Sequence, residues 1–239
     1  MIKKAIRKII FREKADSDSY IKFLRNKGVR IGNNTQIYAP NKTMIDIQRP
    51  WLLEIGDNVQ ITYGVTILSH DYAWAVLKNK YGDVIGSSDK VTIGNNVFIG
   101  MNSTILKGVT IGNNVIIGAD SLVNKNIPDN VVVAGNPAKI IMSLEEYYKK
   151  RKDKYLQEAK NNVIEYHKCY NKVPSKDELY EYLWLFEPRN SNDINNIKKF
   201  NETMNLTGNY DFTLKKFESE LPVYDNYESF INDCHIKEE

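Results

Sequence analysis

The sequence predicts a stacked β-solenoid that carries a helical segment at each end. Three observations lead there. From Ile93 the chain falls into consecutive blocks of six, IGNNVF, IGMNST, ILKGVT, IGNNVI, IGADSL and VNKNIP. Each block opens on an aliphatic residue (Ile93, Ile99, Ile105, Ile111, Ile117, Val123), and its fifth place is small or β-branched (Val97, Ser103, Val109, Val115, Ser121, Ile127). Glycine and asparagine then cluster between the aliphatic positions, as in Gly32-Asn33-Asn34, Gly94-Asn95-Asn96 and Gly112-Asn113-Asn114. A period of six does not fit the 3.6-residue turn of an α-helix. It fits a short strand with one inward aliphatic residue, closed by a turn in which Gly and Asn supply positive φ at little cost. One such strand cannot bury itself. Stacked coils about 4.8 Å apart pair their backbones and bury a column of Ile and Val.

The same period runs through Ile55, Ile61 and Ile67 and begins at Ile31 and Ile37. With three faces per coil, the blocks group as 31, 37 and about 45, then 55, 61 and 67, then 93, 99 and 105, then 111, 117 and 123. The stretch NKTMIDIQRPWLLE, residues 41–54, departs from strict sixes and reads as a bulge. A larger departure follows Ile67. From there to Ile93 is 26 residues, two more than four hexads, and DYAWAVLKNKYGDVIGSSDK has no hexad pattern. This is a loop thrown out from one corner, and long loops in compact repeats are usually functional.

Ahead of the repeat, residues 1–30 hold ten Lys and Arg against Glu13, Asp16 and Asp18, a charge of +7. The whole chain is +3, so the remainder carries −4. Ile2, Ile6, Ile9 and Ile10 stand at helical spacing. Either this helix packs its stripe on the body and leaves its lysines in water, or it lies at a membrane surface. The charge is clustered at one end and not interleaved with stacking aromatics, which argues against nucleic acid.

Behind the repeat, residues 143–239 turn rich in Lys, Glu, Asn and Tyr. Ser143 before Glu145 and Glu146 reads as a helix start, and Ser175 before Asp177 and Glu178 as another. FTLKKFESEL and YDNYESFINDC read as two more short helices. The domain organisation expected is therefore 1–27 helical, 28–142 solenoid with residues 71–90 protruding, and 143–239 helical. The two cysteines, Cys169 and Cys234, form no disulfide framework and no metal spacing, and so read as free thiols. No apolar run reaches the roughly 18 residues of a membrane span. MIKKAIRKIIF is too interrupted by cations for a secretory signal, so a cytoplasmic location follows by elimination.

The hexads, closed by VVVAGNPAKII at residues 131–141, resemble the hexapeptide-repeat acyltransferases over about residues 28–142. That resemblance implies a mainly β fold, a left-handed parallel β-helix of about four coils, triangular in section. It also implies a homotrimer with sites at the subunit interfaces and acetyl-CoA as co-substrate, with no metal. The helical tail and the HDYAW loop resemble those of capsule and cell-surface polysaccharide O-acetyltransferases.

His70 is the one histidine of the solenoid and stands at the root of the loop. A neutral imidazole can accept a proton from a hydroxyl or amine. In the galactoside, maltose, serine and xenobiotic acetyltransferases that the chain resembles, a histidine in a comparable corner is the general base. Asp71 would orient it, although neighbours in a strand point to opposite faces. The resemblance further implies that Gly100 and Met101 line the thioester and pantetheine arm, and that Ala119 bonds the arm through its main chain. Asn124, Lys125 and Lys139 would approach the phosphates and adenine, although Asn124 departs from the hydroxyl residue of relatives. Phe98 stands where a site-walling Trp is common. Gly100 and Ala119 read equally as turn residues, and Lys125 and Lys139 as solvated charges. Tyr72 and Trp74 either stack on a pyranose or anchor the loop.

The function expected is O-acetylation of a sugar or glycan hydroxyl, a cell-surface or capsular polysaccharide or its precursor, at the inner face of the membrane if the basic segment touches lipid. The alternative is N-acetylation of a nucleotide-linked amino sugar, which the same base and donor site would serve. A carbonic anhydrase of this fold needs three histidines on zinc, and the solenoid has one. A non-catalytic scaffold would have no reason to keep His70 together with the GNPAK end.

Overall fold

The computed structural model describes residues 2–189 and 196–236. The side chains of residues 2–5, Ile2 of the predicted stripe among them, lie outside the described residues. The chain divides into two compact units, residues 1–147 and 148–239.

The first unit opens with α1 (Ile2–Phe11), a 3-10 turn and α2 (Ser17–Lys27). Asp16 caps α2 by accepting from the Ser19 amide at 2.8 Å, and Gly28 ends it in the left-handed region. The solenoid follows. Its first coil is β1 (Arg30–Ile31), β2 (Gln36–Ile37) and β3 (Met44–Ile45), and its second is β4 (Leu53–Ile55), β5 (Gln60–Ile61) and β6 (Thr66–Ile67). The loop carries β7 (His70–Asp71), α3 (Trp74–Tyr81) and β8 (Ser87–Ser88). Two more coils follow: β9 (Val91–Ile93), β10 (Val97–Ile99) and β11 (Thr104–Ile105), then β12 (Thr110–Ile111), β13 (Val115–Ile117) and β14 (Leu122–Val123). The unit closes with β15 (Val131–Ala134) and β16 (Lys139–Ser143), which pair antiparallel.

Corresponding strands stack in parallel, in register, as three ladders. Ile31, Ile55, Ile93 and Ile111 form one column, Ile37, Ile61, Ile99 and Ile117 a second, and Ile45, Ile67, Ile105 and Val123 a third. Eleven of these twelve are buried, and Ile31 packs against the same core half-buried. Each fully buried Ile contributes roughly 2 kcal/mol of transfer free energy. The irregular stretch at 41–54 is taken up by a 3-10 turn at Pro50–Leu52 before β4 resumes the register.

The turns divide their labour differently from the expectation. Asn34, Asn96 and Asn114, the second asparagine of each Gly-Asn-Asn, carry the positive φ. From Asn33 a ladder rises in which the side-chain oxygens of Asp57, Asn95, Asn113 and Asp129 each accept from the backbone amide of the residue below (Asn33, Asp57, Asn95 and Asn113), at 2.5–2.8 Å.

The second unit begins in α4 (Leu144–Tyr170). A capping box starts α4: the Ser143 hydroxyl accepts from the Glu146 amide at 3.2 Å, and the Glu146 carboxylate accepts from the Ser143 amide at 2.7 Å. The expected helix after Pro174 is instead a 3-10 stretch, Tyr180–Leu185. Leu179, Leu183, Leu185 and Phe186 are all buried there, and no single α-helical face holds all four. Then come α5 (Lys198–Asn205), α6 (Tyr210–Ser219) and α7 (Tyr227–Asp233), the last capped by Asn226. An aromatic core holds these elements, with Phe186 stacked on Phe230 at 4.9 Å and Trp184 edge-on to Phe217 at 4.8 Å. Both cysteines are free, Cys169 exposed and Cys234 buried, and burial pushes the Cys234 thiol up to about 11.

Candidate active site

The strands of the third ladder all end at one corner, and the chain continues from each into the same column. Asp46 follows Ile45 on the first coil. Ser69, His70 and Asp71 follow Ile67 on the second, and Lys107 follows Ile105 on the third. The loop leaves here. It does not begin as a loose arm: β7 and β8 clip its two ends together, with His70 opposite Ser88, and Trp74 opens α3.

His70 Nδ1 contacts Asp46 Oδ2. Both side chains are withdrawn from water, 9% exposed for His70 and 4% for Asp46. Oδ2 of Asp46 also accepts from the Ser69 hydroxyl at 2.6 Å and the Ser69 amide at 3.1 Å, while Oδ1 accepts from the Gln48 amide at 3.0 Å. Burial pushes the Asp46 carboxyl up, but the hydrogen bonds from Ser69, Gln48 and His70 outweigh it and hold it below its ordinary range. Asp46 is therefore ionised near neutrality. An ionised carboxylate only accepts, so Nδ1 carries a proton, and in the neutral imidazole this leaves the lone pair on Nε2. The imidazole is thus oriented and its neutral tautomer chosen by the carboxylate beside it.

The carboxylate on the imidazole is thus Asp46, and this corrects the expectation for Asp71. Asp71 pairs with Lys107 and accepts from the Ala73 amide at 2.9 Å and the Ser87 hydroxyl at 3.1 Å. The Lys107 ammonium, then the Ala73 amide, hold its carboxyl down at about 2. Asp71 fastens the loop root; as strand geometry warned, it faces away from its neighbour.

Tyr72 meets the His70 ring edge-on, with centroids 5.2 Å apart. Its hydroxyl exchanges hydrogen bonds with the Gln48 side-chain amide at 2.7 and 2.9 Å. Trp74 lies 6.1 Å from Tyr72. Tyr72, which is exposed, borders the imidazole, and Trp74, half-buried, borders Tyr72 in turn.

The residues expected at the donor site fall at two places in the single chain. Asn124 and Lys125 follow Val123, so they continue the His70 corner upward, and both are exposed. Gly100, Met101 and Ala119 follow the second ladder and lie at a different corner. Met101 is 48% exposed there, and its carbonyl accepts from Asp120. Gly100 is buried, and a Cβ on it would stand 2.5 Å from the Ala119 amide nitrogen of the next coil. Phe98 is exposed on the outer side of the second ladder, and Lys139 is exposed at the start of β16. Among the described residues, no group of three or more His, Cys, Asp or Glu side chains is placed to hold a metal ion. Among them, too, no helix is long and apolar enough to cross a membrane.

Asp46, Gln48, Ser69 and Lys107 are the site residues that sequence reasoning missed. One signal was available: Asp46 directly follows the last aliphatic of its coil, where the other coils carry Leu68, Leu106 and Asn124.

Residues 90–125 match the family model described as bacterial transferase hexapeptide (six repeats). The chain is 48% identical over 124 residues to Protein CapG of Staphylococcus aureus, covering 52% of this chain and 71% of that one. It is 41% identical over 133 residues to a putative acetyltransferase, YvoF, of Bacillus subtilis, covering 56% and 69%. It is 39% identical over 127 residues to the galactoside O-acetyltransferase of Escherichia coli, covering 52% and 58%. Together with the hexads and their in-register ladders, these matches show that the chain belongs to the hexapeptide-repeat acyltransferase family.

Proposed function

We propose that this protein is an acetyl-CoA-dependent O-acetyltransferase acting on a hydroxyl of a sugar or glycan, a cell-surface or capsular polysaccharide or its precursor. The observation that carries the reading is the contact of His70 Nδ1 with the buried Asp46 carboxylate. In the reaction, Nε2 of His70 takes the proton of the acceptor hydroxyl as its oxygen bonds to the thioester carbonyl carbon. The carbon–sulfur bond then breaks, and the sulfur leaves with the proton that the imidazolium returns. Asp46 balances the positive charge on the ring between the two transfers. Tyr72 and Trp74 offer ring faces to a pyranose next to the base, and the galactoside O-acetyltransferase relative supports a sugar hydroxyl as acceptor.

The solenoid is left-handed, and the protein acts in the cytoplasm as a homotrimer. The separation of Gly100, Met101 and Ala119 from His70 within one chain supports an interfacial site. There one subunit supplies the base and its neighbour the pantetheine groove, with Phe98 as its wall. Asn124, Lys125 and Lys139 approach the phosphates and adenine.

The test is His70→Ala. Folding and CoA binding are retained, and thiol release from acetyl-CoA in the presence of an acceptor falls by roughly 10²–10⁴-fold. Undiminished turnover by this variant would overturn the assignment. The acceptor is found by screening hydroxyl and amino sugars for the mass gain of one acetyl group.

A further inference from the structure

We propose that α1 is an interfacial anchor, laying its isoleucine face into a membrane surface rich in anionic lipid. Ile6, Ile9 and Ile10 are 49%, 78% and 65% exposed, and none of them joins the apolar core of the solenoid. Their spacing puts them on one helical face. A ten-residue helix is marginal in water without an apolar face to bury, and here that face is turned outward. Arg7 and Lys8 are exposed between the isoleucines in sequence, Arg12 is exposed just after the helix, and the stretch holds no acid before Glu13. An apolar stripe rimmed by cations on one short helix fits the boundary between headgroups and acyl chains, with the cations meeting anionic headgroups.

The same charges decide between occupants. Two copies packed stripe to stripe would bring the cations rimming one stripe near those rimming the other and leave them unneutralised, whereas an anionic surface neutralises them. The helix is also well mounted. It leads through the 3-10 turn into α2, whose Tyr20, Ile21 and Leu24 are buried in the solenoid core. Insertion of α1 therefore holds the first coil of the solenoid at the membrane.

The test uses the full chain, sedimented with vesicles of phosphatidylcholine alone or with about one third phosphatidylglycerol. The wild type pellets with the anionic vesicles, pellets far less with the neutral ones, and is released by high salt. Ile9→Asp/Ile10→Asp weakens binding at least tenfold, as does Arg7→Glu/Lys8→Glu, with unchanged thermal melting because these side chains are solvated. Acetyl transfer to a soluble acceptor is unaffected by either pair, which separates this proposal from the one for His70. Wild-type protein that stays with the supernatant, or an aspartate variant that binds as tightly as wild type, overturns the proposal. So does an aspartate variant that only dissociates a larger oligomer in the absence of vesicles.

Discussion

Replacing Asp46 with asparagine separates the charge of the dyad from its geometry. Four donors converge on the carboxylate: the Ser69 amide, the Ser69 hydroxyl and His70 Nδ1 on Oδ2, and the Gln48 amide alone on Oδ1. An asparagine has one oxygen to share among them. With that oxygen in the Oδ2 place, three bonds survive, and the new NH₂ faces only the amide of exposed Gln48. The opposite orientation leaves the amide of fully buried Ser69 without an acceptor, at a cost of about 1–3 kcal/mol. The first orientation wins, so His70 keeps its tautomer and its direction and loses only the anion. A charge-assisted hydrogen bond is worth about 1.5–3 kcal/mol against about 0.5–1.5 for a neutral one. The difference, about 1–1.5 kcal/mol, appears as the imidazolium forms, and lowers kcat roughly tenfold. Thiol release at saturating acetyl-CoA and acceptor measures it, with thermal melting as the control for folding. Turnover of Asp46→Asn within about twofold of wild type, or as low as that of His70→Ala, would refute a role for the Asp46 charge apart from its geometry.

Other expectations test the scaffold. Ile99→Ala opens a cavity in the middle of its column, between Ile61 and Ile117, and costs about 2–5 kcal/mol in denaturant titration. Gly100→Ala drives a Cβ against the Ala119 amide of the next coil and costs about 1–3 kcal/mol. Gly86→Ala, where a Cβ meets nothing within 4 Å, stays within about 0.5 kcal/mol of wild type. The Asp71 carboxyl sits at about 2 against an ordinary 3.8. Its contribution is thus present above about pH 4 and lost as pH falls toward about 2. Over that window the melting temperature of Asp71→Asn drops less than that of wild type; equal slopes would show that the Lys107 pair adds nothing.

Much of the solenoid was legible because its rule is local. Every sixth residue points inward, so Ile93 to Val123 announce the columns without knowledge of any neighbour. His70 was legible for a related reason: it stands where that rule stops. The loop was harder. Its helix at Trp74–Tyr81 has no acidic first turn and no capping side chain to signal it. Asp71 misled because adjacency in sequence is not adjacency in a strand, where alternate residues face opposite ways. The tail's helix starts at Ser143 and Asn226 rest on caps within a few residues of the helix, whereas the 3-10 stretch at 180–185 answers to the burial of four apolar side chains.

The sequence by itself determined the repeat, the inward columns, the break at residue 70 and the residue type placed there. Each of these follows from period and composition within a few residues. Only the tertiary structure decided which carboxylate holds the imidazole. Asp46 and His70 are 24 residues apart, and they meet because the bulge before β4 restores the register and stacks Ile45 directly on Ile67. Contacts between coils depend on how many residues each turn absorbs. That sum is fixed by packing along the whole ladder and not by any local run of residues.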